Sequence, residues 1–165
     1  MEAVNSTQPD ESILRLLLAR GADPNQNNAC CFLYAATTNA ESLFKVMSRS
    51  ADLGLVLQAL MAHFQAEDDV FRWAKICARC QSRSTLKQMD NDLLSQCLRK
   101  FPNSTDLLGL VLDFGTSSPA MIDHRLDSGW QSEPCTVLLW SLFATPRICN
   151  EAILLILGKK RHAGT

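Results

Sequence analysis

A chain of 165 residues with 47% hydrophobic and 20% charged residues has the composition of one folded domain and excludes wholesale disorder. Sixteen Lys and Arg against seventeen Asp and Glu leave a net charge of −1, which argues against a dedicated nucleic-acid or membrane surface, where basic residues run in excess. Residues 1–11 are too polar for a signal peptide, and no apolar run approaches the roughly 18–20 residues of a membrane span.

Apolar spacing is helical nearly throughout, with no sustained alternation to mark a sheet. The first predicted helix covers residues 9–20, with Thr7 and Asp10 as capping candidates and Pro9 in its first turn. It stops at Gly21-Ala22-Asp23-Pro24, where glycine suits a left-handed exit and proline blocks continuation. Helices are predicted next over 29–38 and 40–49, then 53–64 and 69–80, then 91–101 and 105–114. After a long connection, 116–132, Glu133-Pro134 opens another helix through Trp140, and the last one covers 150–157. Two sequons, Asn5-Ser6-Thr7 and Asn103-Ser104-Thr105, precede helical stretches and read as N-caps.

The helix stops recur. Gly21-Ala22-Asp23 is echoed at Ser50-Ala51-Asp52, around Gln81-Ser82-Arg83, at Gly115 and at Gly158, at intervals of 29, about 32, 33 and 43 residues. An interval near 33 holding two short helices is a repeat period. The string from Ile13 to Asn25, Leu16-Leu17-Leu18-Ala19-Arg20-Gly21-Ala22-Asp23-Pro24-Asn25 above all, resembles the second helix and exit turn of an ankyrin repeat, LLxxGADxN. Cys31-Phe32-Leu33-Tyr34-Ala35-Ala36 is similar to a decayed TPLHxAA opening of that family's first helix. Intact Thr-Pro-Leu-His is absent, Asn39 stands where the inter-helix glycine belongs, and the β-hairpin fingers are shortened, as in degenerate arrays of fungal ankyrin proteins.

The resemblance implies an all-α fold: a helical-hairpin solenoid of about 4.5 ankyrin-like repeats with short or missing β-hairpin fingers. Its units would be a half repeat at 9–25 and repeats near 26–52, 53–83, 84–116 and 117–160, with flexible tails at 1–8 and 161–165. It also implies a protein–protein interaction module with no catalytic activity, no cofactor and no metal. The partner, of unknown identity, would meet first helices and loop tips. By position these are Asn27, Asn28, Arg83, Lys87, Asp90, His124, Arg125 and Trp130.

Other chemistry fares less well. Cys77-x-x-Cys80 is half a zinc signature without a second pair, and at helical spacing both thiols share an inward face. His63, His124 and His162 belong to no catalytic string, and His63 sits where it would stabilise a helix end. Asp90-Asn91-Asp92 and Glu67-Asp68-Asp69 read as helix starts. Seven irregularly spaced cysteines suit a reducing compartment, the cytoplasm, with the nucleus as the alternative given Lys159-Lys160-Arg161. Two competing readings are a structural segment of a longer array and a helical enzyme using His63 or Cys77. The run from Ala152 to Leu157 is too apolar for a terminal helix and predicts an exposed patch, open to self-association through the C-terminal helix.

Overall fold

Short amphipathic segments of this kind cannot bury an apolar face alone, so they pair and the pairs stack. The computed structural model describes residues 11–81, 91–114, 125–126, 135–136, 141–142 and 147–162. Among them are eight helices: α1 (Glu11–Ala19), α2 (Gln26–Thr37), α3 (Glu41–Ser48), α4 (Leu53–His63), α5 (Glu67–Cys80), α6 (Asn91–Lys100), α7 (Thr105–Phe114) and α8 (Asn150–His162). Before α8 come two strands of two residues each, β1 (Arg125–Leu126) and β2 (Cys135–Thr136), paired antiparallel with Arg125 opposite Thr136.

Helix contacts follow one rule from α1 to α7. Consecutive helices pair as α2 with α3, α4 with α5 and α6 with α7, while each helix also packs on the one two places along. One layer therefore holds α2, α4 and α6, and the other holds α1, α3, α5 and α7; α8 packs on α7. The core lies between the layers. Phe32 of α2, Phe44 of α3 and Trp73 of α5 meet there, with ring centroids 5.2 Å apart for the two phenylalanines and 4.7 Å for Phe44 and Trp73. Leucines of α4, α6 and α7, among them Leu57, Leu94 and Leu108, extend the same core.

Local chemistry sets the helix ends. Gly21 stands at φ +90°, and the N–H groups of Gly21 and Ala22 donate to the carbonyls of Leu18 and Leu17, both at 3.0 Å. This is the paired exit bonding that a left-handed C′ residue permits. Asn39 does the same for α2 at φ 54°, with Asn39 N bonded to Ala36 O at 3.2 Å and Ala40 N to Ala35 O at 2.8 Å. Asparagine replaces glycine there because its short polar side chain tolerates the left-handed region. Asp52 caps α4, its Oδ1 accepting from Gly54 N at 3.1 Å and Leu55 N at 3.3 Å, and Ser104 caps α7 by accepting from Leu107 N at 3.2 Å. The expected cap at Ser104 is therefore made; Ser6, Thr7 and Asp10 lie outside the described residues.

Three expectations need correction. Residues 135–136, expected inside a helix opened by Glu133-Pro134, form β2 instead, where Cys135 and Thr136 pair with β1. Small β-prone residues just after a proline fit a short extended segment at least as well as a first helical turn. The last helix does not stop at Gly158 but runs to His162, so the tail expected at 161–165 is helical at its start. A glycine interrupts a helix only weakly when the following residues, here Lys159-Lys160-Arg161, favour one. Finally, α2 begins at Gln26 rather than 29, through a turn of the opposite hand.

Candidate binding surface

That turn is the least ordinary backbone in the molecule. Asn27, Asn28 and Ala29 have φ of 52°, 55° and 57°, three successive left-handed residues before the right-handed part of α2. Asparagine accepts this conformation readily; for Ala29 the cost is roughly 1–2 kcal/mol. The surroundings hold it in place. Ala29 and Phe32 are fully buried, Ala29 N donates to Asn25 O at 3.2 Å, and the Cys31 thiol donates to Pro24 O at 2.9 Å. Burial and the neighbouring Cys30 push the Cys31 pKa up, so the thiol stays protonated and remains a donor. The outcome is that Asn27 and Asn28, two of the predicted contact residues, stand exposed.

Further along α2, Tyr34 is 60% exposed. Sequence reasoning took it for part of a decayed repeat opening and missed it as a contact. The available signal was that it is the chain's one tyrosine and that tyrosine is enriched at binding hot spots. The electrostatics here are plain: neither α2 nor α4 contains a Lys, Arg, Asp or Glu, so these two helices offer a partner neutral polar and aromatic groups. Arg83, Lys87, Asp90, His124 and Trp130 lie outside the described residues. Arg125 is in β1, far along the chain from Asn27 and Asn28. Of the predicted contact residues, Asn27 and Asn28 are adjacent and exposed, and Tyr34 is exposed further along the same helix.

The exit turns form a second feature. Asn25 bridges from one to the next: its Nδ2 donates to Ser50 O at 3.0 Å and its Oδ1 accepts from Asp52 N at 2.6 Å. Gln81, at the end of α5, reaches back to the same turn, its Nε2 donating to Ala51 O at 2.8 Å and Ser48 O at 3.2 Å. At the other end of the helices, Arg72 donates to Asn39 Oδ1 at 3.0 Å and pairs with Glu41. Further along, Lys100 donates to Met61 O and Ser104 to Glu67.

Cys77 is buried, its Sγ accepting from Gln81 Nε2 at 3.7 Å, and burial pushes its pKa up to about 12; Cys97 is likewise pushed up to about 12. A thiol so desolvated is protonated at neutral pH and a poor nucleophile or metal ligand. His63 is the last residue of α4, edge-on to the Phe64 ring with centroids 5.0 Å apart. Trp73 is core, and Glu67, Asp68 and Asp69 occupy the first turn of α5 as expected. Among the described residues no His, Cys, Asp and Glu group could hold a metal ion, and no helix is long and apolar enough to cross a membrane. The chain matches no family model, no curated protein and no solved structure.

Proposed function

We propose that this chain is a protein-binding module, a degenerate ankyrin-like solenoid without catalytic activity, working in a reducing compartment such as the cytoplasm. The observation that carries the reading is the exit-turn ladder: Asn25 and Gln81 tie three successive helix exits together by side-chain bonds to backbone. Such bonds hold the units in register and support a continuous surface, which is what a repeat array offers a partner. The preferred surface is the uncharged face of α2 with its preceding turn, where Asn27, Asn28 and Tyr34 are exposed. Of the two candidates of the enzyme reading, His63 and Cys77, the thiol is disfavoured as a nucleophile by its burial and raised pKa.

The test is capture with the folded chain, run side by side with Tyr34→Arg. The side chain is exposed, so the variant's melting temperature should match wild type. A protein retained by wild type and weakened at least about tenfold by the substitution supports the reading. Equal retention by both moves the surface elsewhere, and no retained protein at micromolar concentration sinks the module reading.

A further inference from the structure

The charges of residues 11–80 are segregated to a degree that helix stability alone does not demand. All seven Lys and Arg in this stretch, Arg15, Arg20, Lys45, Arg49, Arg72, Lys75 and Arg79, lie on or at the end of α1, α3 and α5; none is on α2 or α4. These three helices share one layer and run parallel. Their exits are tied by Asn25 and Gln81, and the starts of α3 and α5 are tied by Arg72. Each helix begins with an acid, at Glu11, Glu41 and Glu67, and ends with an arginine, at Arg20, Arg49 and Arg79, spaced 29 and 30 residues apart. The layer therefore has an acidic edge and a basic edge, each running across three helices.

The two edges differ in how far their charges are satisfied. On the acidic side, Glu11 pairs with Arg15, and Glu41 takes both Lys45 at 2.6 Å and Arg72 at 3.4 Å, which holds its pKa below the usual carboxylate range. On the basic side, Arg20, Arg49 and Arg79 are exposed and make no ion pair among the described residues. The nearest acids in sequence, Asp23 and Asp52, spend their Oδ1 atoms on turn and cap: Asp23 accepts from Asn25 N and Nδ2, and Asp52 from Gly54 N and Leu55 N. Favourable placement at a helix C-terminus accounts for one arginine per helix, but leaves three forked donors with capacity unused.

We propose that this arginine edge seats an acidic peptide segment lying across the ends of α1, α3 and α5. Spacing favours that occupant. Packed helices lie about 8–10 Å apart, so the helix ends that carry the three arginines succeed one another at about that step. A polyproline II segment has three residues per turn and rises about 3.1 Å per residue, so every third side chain points the same way at steps of about 9 Å. A carboxylate at every third position would meet Arg20, Arg49 and Arg79 in turn, each able to accept a two-pronged bond from its arginine. A β-strand presents same-side residues at steps of about 6.5–7 Å and falls out of register by the third arginine. The inference needs only the observed stacking, and a failed capture experiment on the α2 face would not touch it.

The test uses a fluorescent peptide of four Glu-Pro-Pro repeats titrated with the full chain at low salt. Two controls have the same composition, one with its glutamates grouped together and one with Glu replaced by Gln. Expected are binding to the periodic peptide, several-fold weaker binding to the grouped one and none to the Gln peptide. Affinity should fall at least about tenfold between roughly 50 and 500 mM salt, because exposed charges are screened. Arg49→Gln should weaken binding severalfold and the triple Arg20→Gln, Arg49→Gln, Arg79→Gln should abolish it, with the chain still folded and its melting temperature lowered only slightly; Lys75→Gln, exposed midway along α5, is the control for charge alone. Equal binding of grouped and periodic peptides overturns the every-third-residue geometry. Tighter binding of an oligothymidylate than of the peptide overturns the peptide assignment, and binding that survives the triple substitution overturns the site.

Discussion

α1 and α5 occupy the same layer, run the same way and carry the same charge plan, yet one buries nothing and the other anchors the core. α5 buries Val70, Trp73, Ala74, Cys77 and Ala78, whereas α1 has no buried residue although six of its nine positions are apolar. Ile13, Leu16 and Leu17 are each more than half exposed, and only Leu14 of α1 leans on the core from partial burial. The difference is one of neighbours. α5 has α3 on one side, α7 on the other and α4 as its hairpin partner, while α1 packs chiefly on α3. In a stacked array burial belongs to position as much as to sequence: an apolar helix at the end of the row stays half-dressed.

Truncation at the centre should show this most clearly. Trp73→Ala removes the ring that packs on Phe44 and supports the Arg72 guanidinium 4.9 Å above it. It is expected to cost about 3–5 kcal/mol in a denaturant titration, against less than about 0.5 kcal/mol for Leu16→Ala on α1. Similar losses from both would mean that α1 is covered in solution.

The buried thiols give the next effect, and its sign is fixed by burial. Cys77 and Cys97 have folded pKa values near 12 against an ordinary 9.0, so the folded chain holds protons that the unfolded chain gives up. Their stabilising contribution is complete below pH 9 and is lost as pH rises toward 12, by about 1.4 kcal/mol per pH unit for each thiol. Stability measured from pH 8 to 11 should therefore fall more steeply for wild type than for Cys77→Ala. Parallel curves for wild type and Cys77→Ala would place that thiol in water.

At the exit of α1 the comparison sharpens, because its end is better built than its face. Gly21 lies at φ +90° with open space around a would-be Cβ, so any penalty on substitution is backbone strain and not crowding. Gly21→Val is expected to cost on the order of 1–2 kcal/mol, read as a lowered melting temperature. Gly21→Asn should cost less, since Asn39 already fills the equivalent place after α2 at φ 54°. A neutral Gly21→Val would detach α1 from the cooperative unit.

These residues also show what could be read beforehand. Gly21, Asn39, the cap at Ser104 and the core role of Trp73 were legible because each acts within its own turn or helix face, where spacing and residue type decide the outcome. The left-handed stretch Asn27-Asn28-Ala29 was not, since Ala29 has no local reason to take φ 57° and is held by burial from elsewhere. β2 was misread for the opposite reason: Pro134 before a small apolar stretch suits either a helix start or an extended segment, and pairing with β1 decided it. Of the candidate surface, the exposure of Asn27 and Asn28 was expected from their place in a polar turn, while that of Tyr34 required knowing which side of α2 faces the core.

The smallest expected effect lies at the other end of the array. α8 packs on α7, burying Ala152 and Ile156 completely, while Leu154 is 65% and Leu157 37% exposed. Ile153 and Leu155 are in between, packed against the core's edge. The outward side of this helix is therefore marked by Leu154 and Leu157, one turn apart, and not by Ile153 or Ile156. Leu154→Glu should leave the melting temperature nearly unchanged, within about 0.5 kcal/mol, because the carboxylate can stay in water. Ile156→Glu, two positions on, would bury an unpaired charge and should unfold the end of the array. If the chain associates through this end, as α1's exposed leucines would do at the other, Leu154→Glu should also lower the apparent mass in concentrated solution without touching the fold. A destabilising Leu154→Glu in a chain that stays monomeric at every concentration would instead mean that the outer face of α8 is covered within the same molecule, and the likeness drawn here between its two ends would fail.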